Sequence, residues 1–412
     1  MSGHLKVAYY LPRFPRLSET FIMREILALR DLGMDVQVFS LLPALPTTIM
    51  HQQVQDLMPY VHYSPYLFSF KVIRAQFYFL FRTPLKYFLA LYHVIWQTIF
   101  EPFTCVKALF LFPKSIYFAR QLKEMNFDHI HAHFVWINGI AAQVAADLIG
   151  ISYSIHAHAW DIFQRKSVCV QRQIYLATVA VTISEYHHQF LSKLCPQKNV
   201  KDIRVVHCGL DPLEFSPDHV SSEDSFVHIL SIGRLLTKKG FEYLIDACAL
   251  LAARGYSFRC SIIGEGPLSD TLQARIDKHN LQDRVSLIGA KNLTEILDIY
   301  HHSDIFALAC IVTNFGDRDG IPVVLMEAMA MQVPVITTPV SGNPELVIDG
   351  KTGLMVPERD PEALALAIEK LIKDQDLRIQ LGKQGRQAIL DGFDIHNTSA
   401  QMADIFQKIH NS

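Results

Sequence analysis

No stretch of the 412 residues is both apolar and long enough to cross a bilayer. The longest uncharged apolar run, Tyr87 to Phe100, is too short and contains His93 and Gln97. CxxC pairs are also missing. Seven scattered cysteines (Cys105, Cys169, Cys195, Cys208, Cys248, Cys260, Cys310) make an odd count, which favours reduced thiols in a cytosolic protein over a disulfide framework. Neither charge is in excess. With 38 Lys+Arg against 40 Asp+Glu the net charge is −2, so there is no general basic field for nucleic acid. The opening "MSGHLKVAYYLPRF" lacks the long apolar core of a signal peptide and reads as a first strand. "IIGEGP" (Ile262–Pro267) is a Gly-rich strand exit but not GxGxxG, and no acid follows at a distance suited to a nicotinamide ribose.

Hydrophobic residues make up 50% and charged residues 19%, a composition for large buried sheets, and the length calls for two cores. The chain opens with a strand at "LKVAYYL", a helix over "SETFIMREILALRDLG" (Ser18 as N-cap, Gly33 as stop) and a strand at "DVQVFSLL". This order resumes at "HIHAHF", a helix from about Asn138 to Leu148, "SYSIHAHA" and "ATVAVTIS". It restarts at "FVHILSIGR", a helix from about Gly240 to Ala253, "FRCSIIGEGP", "VSLIGA", "DIFALAC" and "VPVITT". The expected architecture is α/β, with two Rossmann-like doubly wound domains facing each other across a cleft. Residues 1–210 form the first domain, 211–225 a Pro/Ser/Asp-rich linker and 226–394 the second; residues 395–412 form a helix packing back on the first.

Tyr60 to Arg120 carries many aromatic residues, seven Lys/Arg (Lys71, Arg74, Arg82, Lys86, Lys107, Lys114, Arg120) and one acid, Glu101. Two readings stand. One is an inserted helical hairpin with ordinary basic surface residues; the other is a lobe that touches anionic lipid head groups or a lipid-linked substrate.

In "SIGRLLTKKG", Arg234 and Lys239 follow a strand and precede a helix at Gly240, where a guanidinium and an ammonium can hold a diphosphate; the plain alternative is a solvated loop. In "DRDGIPVVLMEAMA", Pro322 suits a first helical turn, and the free amides of that helix start suit a phosphate. Glu327, with apolar flanks, can accept two hydrogen bonds from adjacent sugar hydroxyls, and Asp319 can reach another. Asp317-Arg318-Asp319 also reads as a DxD tripeptide for a divalent metal; the acid-x7-acid spacing from Asp319 to Glu327 accounts for Asp319 better. His129, His131 and His133 share one face of a strand. That spacing allows zinc, but histidines lining a cleft or packing in a core are commoner, and no neighbouring Cys or acid completes a set.

Taken together, "FPRLSETFI", "HIHAHF", "HAHAWDIF", "SIGRLLTKKG", "IIGEGP", "DRDGIPVVLMEAMA" and "SGNPELVIDGKTGLMVP" resemble retaining GT-B glycosyltransferases of family 4. Within that family, the resemblance is to the bacterial exopolysaccharide group that includes colanic acid biosynthesis enzymes. It covers nearly the whole chain. The resemblance implies that Arg234 and Lys239 grip the donor diphosphate, Glu327 the nucleotide ribose and Asp319 the donor sugar. It puts Gly320, Ile321, Pro322 and Val323 in the loop facing the donor, and Gly264, Gly266, Gly289 and Lys291 on the nucleotide-base side. His158 lies near the transferred sugar, followed by Asp161; Ser18 and Glu19 lie in the loop approaching donor phosphate and acceptor. Three features depart from the family: Asp319 stands where Glu is usual, "PRLSETF" replaces a Gly-Gly pair, and His156 and Trp160 replace a "THGHD"-like pattern.

The implied reaction moves a sugar from a nucleoside diphosphate sugar to a hydroxyl of a glycan or lipid-linked oligosaccharide, with no essential metal and no other cofactor. The implied location is the cytoplasm, with peripheral attachment to the anionic inner face of the cytoplasmic membrane as a further option. Two rivals stand beside it: a nucleotide-sugar epimerase of the same fold, and a non-catalytic transferase-like scaffold in polysaccharide assembly.

Overall fold

The computed structural model describes residues 5–16, 19–44, 52–164, 168–217 and 226–411. Ser18 and residues 218–225 of the expected linker therefore lie outside the described residues. The chain divides into two compact units: residues 1–183, 187–207 and 395–412 in the first, and 184–186 and 208–394 in the second.

The first unit is built on seven parallel strands: β1 (Lys6–Arg13), β2 (Asp35–Leu42), β3 (Val61–Tyr63), β4 (His129–His133), β5 (Ser152–Ala157), β6 (Val179–Thr182) and β7 (Ile203–Val205). Their order is 3-2-1-4-5-6-7. Alternation along β1 assigns the faces. Val7, Tyr9 and Leu11 pack with Val36, Val38 and with Met402 and Phe406 of the helix Ile395–His410. Ala8 and Tyr10 pack on the opposite face with Phe39, Phe118 and Ile130. Both faces are covered, as a parallel sheet requires.

The segment from Tyr60 to Arg120, for which an inserted hairpin is one of two readings, holds a strand and three helices. Val61–Tyr63 adds the edge strand, and three helices follow: Phe70–Arg82, Pro84–Thr98 and Pro102–Met125. Together they form the crossover from β3 to β4. The third helix carries Ile116, Phe118, Ala119 and Leu122 into the core, so the last part of the expected insert, from Pro102 on, is sheet-covering structure. Three residues of β3 are too few for a period-2 pattern to register.

The second unit has six parallel strands: β8 (Val227–Ile232), β9 (Phe258–Ile263), β10 (Val285–Leu287), β11 (Ile305–Leu308), β12 (Val335–Thr337) and β13 (Leu354–Met355), in the order 10-9-8-11-12-13. In each sheet the order reverses beside the first strand, between β1 and β4 and between β8 and β11. Ligands of such sheets bind at the carboxyl ends flanking that reversal.

Phe118→Ala is expected to destabilise the protein by about 3–5 kcal/mol, because it empties a fully buried site. Phe81→Ser, at a side chain 77% exposed, is expected to stay within about 0.5 kcal/mol. Urea unfolding followed by circular dichroism compares the two.

Candidate functional site

In the second unit, the segment after β8 turns at Gly233 and runs through Arg234 to a short turn of helix at Thr237–Lys239. Gly240 follows with φ +66°; a Cβ there would stand 1.8 Å from the Ala309 carbonyl oxygen, so only glycine lets this loop lie against the end of β11. The backbone bond from Ile311 N to Lys238 O (2.9 Å) ties the two strand exits together. Gly264, at the end of β9, has φ +143°, and a Cβ on it would stand 1.9 Å from the Gly233 carbonyl oxygen. Its N–H donates to Gly289 O (2.9 Å), and Gly266 lies against the Leu235 backbone. The expected glycines thus close the backbone around one strand exit.

Charge gathers at this point. Lys239 Nζ stands 2.6 Å from Asp319 Oδ2, and Lys238 Nζ lies 3.2 Å from Asp319 Oδ1 and 3.3 Å from Asp317 Oδ1. Burial alone would raise the Asp319 carboxyl, but Lys239 and Lys238 outweigh it and hold its pKa below the usual aspartate value. Burial would likewise lower Lys239, and the Asp319 carboxylate more than compensates. Both partners are therefore ionised and held in place. The Lys238 ammonium bridges the two carboxylates that a DxD metal would need, which argues against that reading. Arg234 is exposed and has no acidic partner among the described residues.

The chain then passes Gly320, whose carbonyl accepts from Gly342 N (3.1 Å), and buried Ile321. Pro322 is the cap rather than part of the first turn, with ψ 122°, and the helix Val323–Ala330 begins one residue later. Glu327 is buried, as its apolar flanks suggest. Beneath it, Tyr300 donates to Val324 O (3.1 Å), and burial together with Glu327 raises the Tyr300 pKa well above that of a free phenol. Lys291 pairs with Glu295 (2.9 Å) where Asn292 caps the helix Leu293–His301.

The remaining expected residues lie in the first unit. Asp161 is buried and accepts from the N–H groups of Val135 and His158 (3.2 Å each), so it shapes the loops after β4 and β5. His158 is buried, with Nε2 3.1 Å from His133 Nδ1; burial pushes its pKa down to about 3, so the ring is neutral. His156 is buried on one face of the sheet, stacked against His133 and His158, whereas Trp160 is half-exposed against Trp136. Glu19 leads into the helix Thr20–Asp31, 2.7 Å from Arg16 Nη1. Burial nonetheless pushes its carboxyl up to about 7 against the lowering effect of Arg16.

Two groups escaped the sequence reading. Lys238 was passed over beside Lys239, although the doubled lysine was visible. Glu25 and His156 join His131 and His133 only through strand pairing and a helix packed across it.

The glycosyl transferases group 1 family matches residues 213–388, the span that holds the charged strand exits. The chain is a glycosyltransferase and carries a group 1 domain. Over nearly its full length the enzyme resembles amylovoran biosynthesis glycosyltransferase AmsK of Erwinia amylovora, at 26% identity over 98% of this chain and 100% of that one. WcaL of Escherichia coli K12, named for colanic acid biosynthesis, is 28% identical over 98% of this chain and 100% of its own. Among solved structures, a glycosyltransferase from Rickettsia africae superposes with a TM-score of 0.71 at 16% identity, covering 99% of each chain. Anabaena HepE in complex with UDP also gives 0.71, at 14% identity over 98% of this chain and 100% of that one. These likenesses give the glycosyltransferase its GT-B-type pair of Rossmann-like units.

The raised Glu19 carboxyl has a measurable sign. Folding binds a proton at Glu19 between its unfolded value of 4.5 and its folded value of about 7. Its contribution to stability is full below pH 4.5 and lost as pH rises through about 7. Glu19→Gln, permanently neutral, is expected to lose less stability than the wild type over that range in parallel urea titrations.

Proposed function

We propose that the enzyme transfers a sugar from a nucleoside diphosphate sugar to a hydroxyl of a growing exopolysaccharide, on a lipid-linked acceptor and with retention at the anomeric carbon. The observation that carries this reading is the Lys239–Asp319 pair with Lys238, set at the strand-order reversal beside the start of the helix Val323–Ala330. AmsK and WcaL support the exopolysaccharide context by name, and the UDP held by HepE supports a uridine-type or related donor.

The chemistry follows from charge. As the bond between the anomeric carbon and the diphosphate oxygen breaks, negative charge grows on the leaving group. Arg234, Lys239 and the amide end of the helix stabilise that charge more in the transition state than in the ground state. The acceptor oxygen bonds to the same carbon, and its proton passes to the departing phosphate oxygen, so no side chain has to act as a strong base. With Lys238 between Asp317 and Asp319, cationic side chains take the part a divalent metal plays elsewhere, and the transfer step runs without one. In the second unit Glu327 binds the ribose, Asp319 orients the sugar, and Gly320, Ile321, Pro322 and Val323 line the donor; in the first unit His158 is the sugar-side residue. Gly264, Gly266, Gly289 and Lys291 flank the base. Ser18, Glu19 and Asp161 belong to the acceptor side.

A membrane-surface role for the three crossover helices completes the proposal. Phe70, Phe81, Leu85, Phe100, Phe103 and Phe110 are each at least 61% exposed, and Lys71, Arg74, Arg82, Lys86 and Lys107 are exposed among them. Glu101, the single acid of this segment, is used internally, accepting from Thr104 Oγ1 (3.1 Å) and Cys169 N (3.2 Å). An aromatic and basic surface of this kind suits an anionic bilayer face. No described helix is long and apolar enough to cross a membrane.

Lys239→Ala is expected to lower kcat about 10²–10³-fold, more than Glu327→Gln, in a screen of radiolabelled nucleotide sugars against membrane extract. Equal turnover of Lys239→Ala and wild type on the true donor would overturn the diphosphate role. Phe81→Ser with Leu85→Ser is expected to weaken co-sedimentation with phosphatidylglycerol vesicles while leaving the far-ultraviolet spectrum unchanged.

A further inference from the structure

The histidine face of the first sheet is not explained by sugar transfer. Pairing of β4 with β5 sets His131 opposite Ser154 and His133 opposite His156, all on the side covered by the helices Thr20–Asp31 and Ile395–His410. Glu25, on the first of these helices, points into the same place. One ligand atom each from Glu25, His131, His133 and His156 lies within 4.8 Å of the other three, and all four residues are buried.

Serine hydroxyls hold His129 and the outer nitrogen of His131. His129 Nδ1 meets Ser152 Oγ and His129 Nε2 meets Ser154 Oγ; His131 Nδ1 meets Ser154 Oγ, each at 2.7 Å. His131 Nε2 is left buried with no hydrogen-bond partner, as are both ring nitrogens of His156. Either direction of the His131–Ser154–His129–Ser152 chain leaves His131 Nε2 unpaired. A buried ring nitrogen without a partner is costly, and one shared metal takes up His131 Nε2 and one of the two His156 nitrogens.

The geometry points to a zinc site: Zn²⁺ bound by Glu25, His131 Nε2, His133 Nε2 and His156, closed and structural. A tetrahedral zinc with bonds of about 2.0–2.2 Å sets its ligand atoms about 3.3–3.6 Å apart. His133 Nε2 and Glu25 Oε1 already stand at 3.3 Å. The widest separation in the cluster closes with a ring or carboxylate swing of about 1 Å. Outer partners orient three of the four ligands: Ser154 for His131, His158 for His133, and the Tyr9 hydroxyl, which donates to Glu25 Oε1 at 2.6 Å; His156 is held by ring stacking on His133 and His158. Burial, with neighbouring histidines adding to it, holds His131, His133 and His156 well below the ordinary imidazole pKa, so their nitrogens are free of the extra proton. Metal on His133 Nε2 leaves the proton on Nδ1, which then donates to His158 Nε2 and fixes the tautomer of that ring. The site lies in the first unit, on residues apart from Lys239 and Asp319, and is independent of how the donor diphosphate is held.

The test is elemental analysis of the full-length protein, purified without a polyhistidine tag or chelator. About one zinc per chain is expected in the wild type and in His129→Asn, and less than a fifth of that in His156→Ala and Glu25→Gln. After zinc removal, Co²⁺ should bind one per chain with the visible bands of a tetrahedral nitrogen/oxygen site and no thiolate charge-transfer band. A chelator should lower Tm of the wild type and leave the two ligand variants unchanged. The wild-type measurement stands even if a variant fails to fold. Wild-type protein that carries no stoichiometric metal and takes up no Co²⁺ overturns the proposal, as do undiminished zinc in both ligand variants or a thiolate band.

Discussion

In a parallel sheet every strand delivers its carboxyl end to the same edge, so loops that are distant in sequence meet there. In this glycosyltransferase the rule operates twice. It brings the exits of β8 and β11 together in the second unit, where Lys238 and Lys239 meet Asp319. In the first it stacks the histidines of β4 against that of β5. Neither cluster exists without the pairing register. A slip by one residue would turn each histidine of β4 to the opposite face, against Ile155 and Phe118.

The half-buried lysine pair shows how such an edge becomes chemically useful. Burial at the position of Lys239 works against the charged ammonium, and Asp319 beside it more than offsets that. Asp319 in turn stays charged because two cations outweigh its burial. Glycines at 240 and 264 allow the backbones to approach closely enough for this, since a methyl group at either would meet a carbonyl oxygen. Charge and close packing at the site are thus one arrangement, not two.

Long, strongly patterned elements were legible before any coordinates. "VHILSI" and "FRCSII" form β8 and β9, and the helix from Phe241 to Ala253 ends where expected. β3, β7 and β13, of two or three residues, carry no readable period; their place follows from neighbours that offer them a ladder. The same limit hid the histidine cluster. HxHxH is visible as a motif, but Glu25 lies over a hundred residues from His133, and only helix packing against the sheet shows that it faces the rings. Lys239 and Asp319 stood out from local spacing in short loops, and the structure brings those two together at 2.6 Å.

The first unit is interrupted in sequence. The helix Ile395–His410, whose Met402 and Phe406 close one face of its sheet, is separated from β7 by the whole second unit, residues 208–394. On a ribosome adding about 5–20 residues per second, the histidine-bearing face waits roughly 10–40 s for its cover. During that interval Tyr9 and His131 lack the Phe406 ring that packs on them, while the second unit, contiguous but for three residues, already has the sequence of its own core.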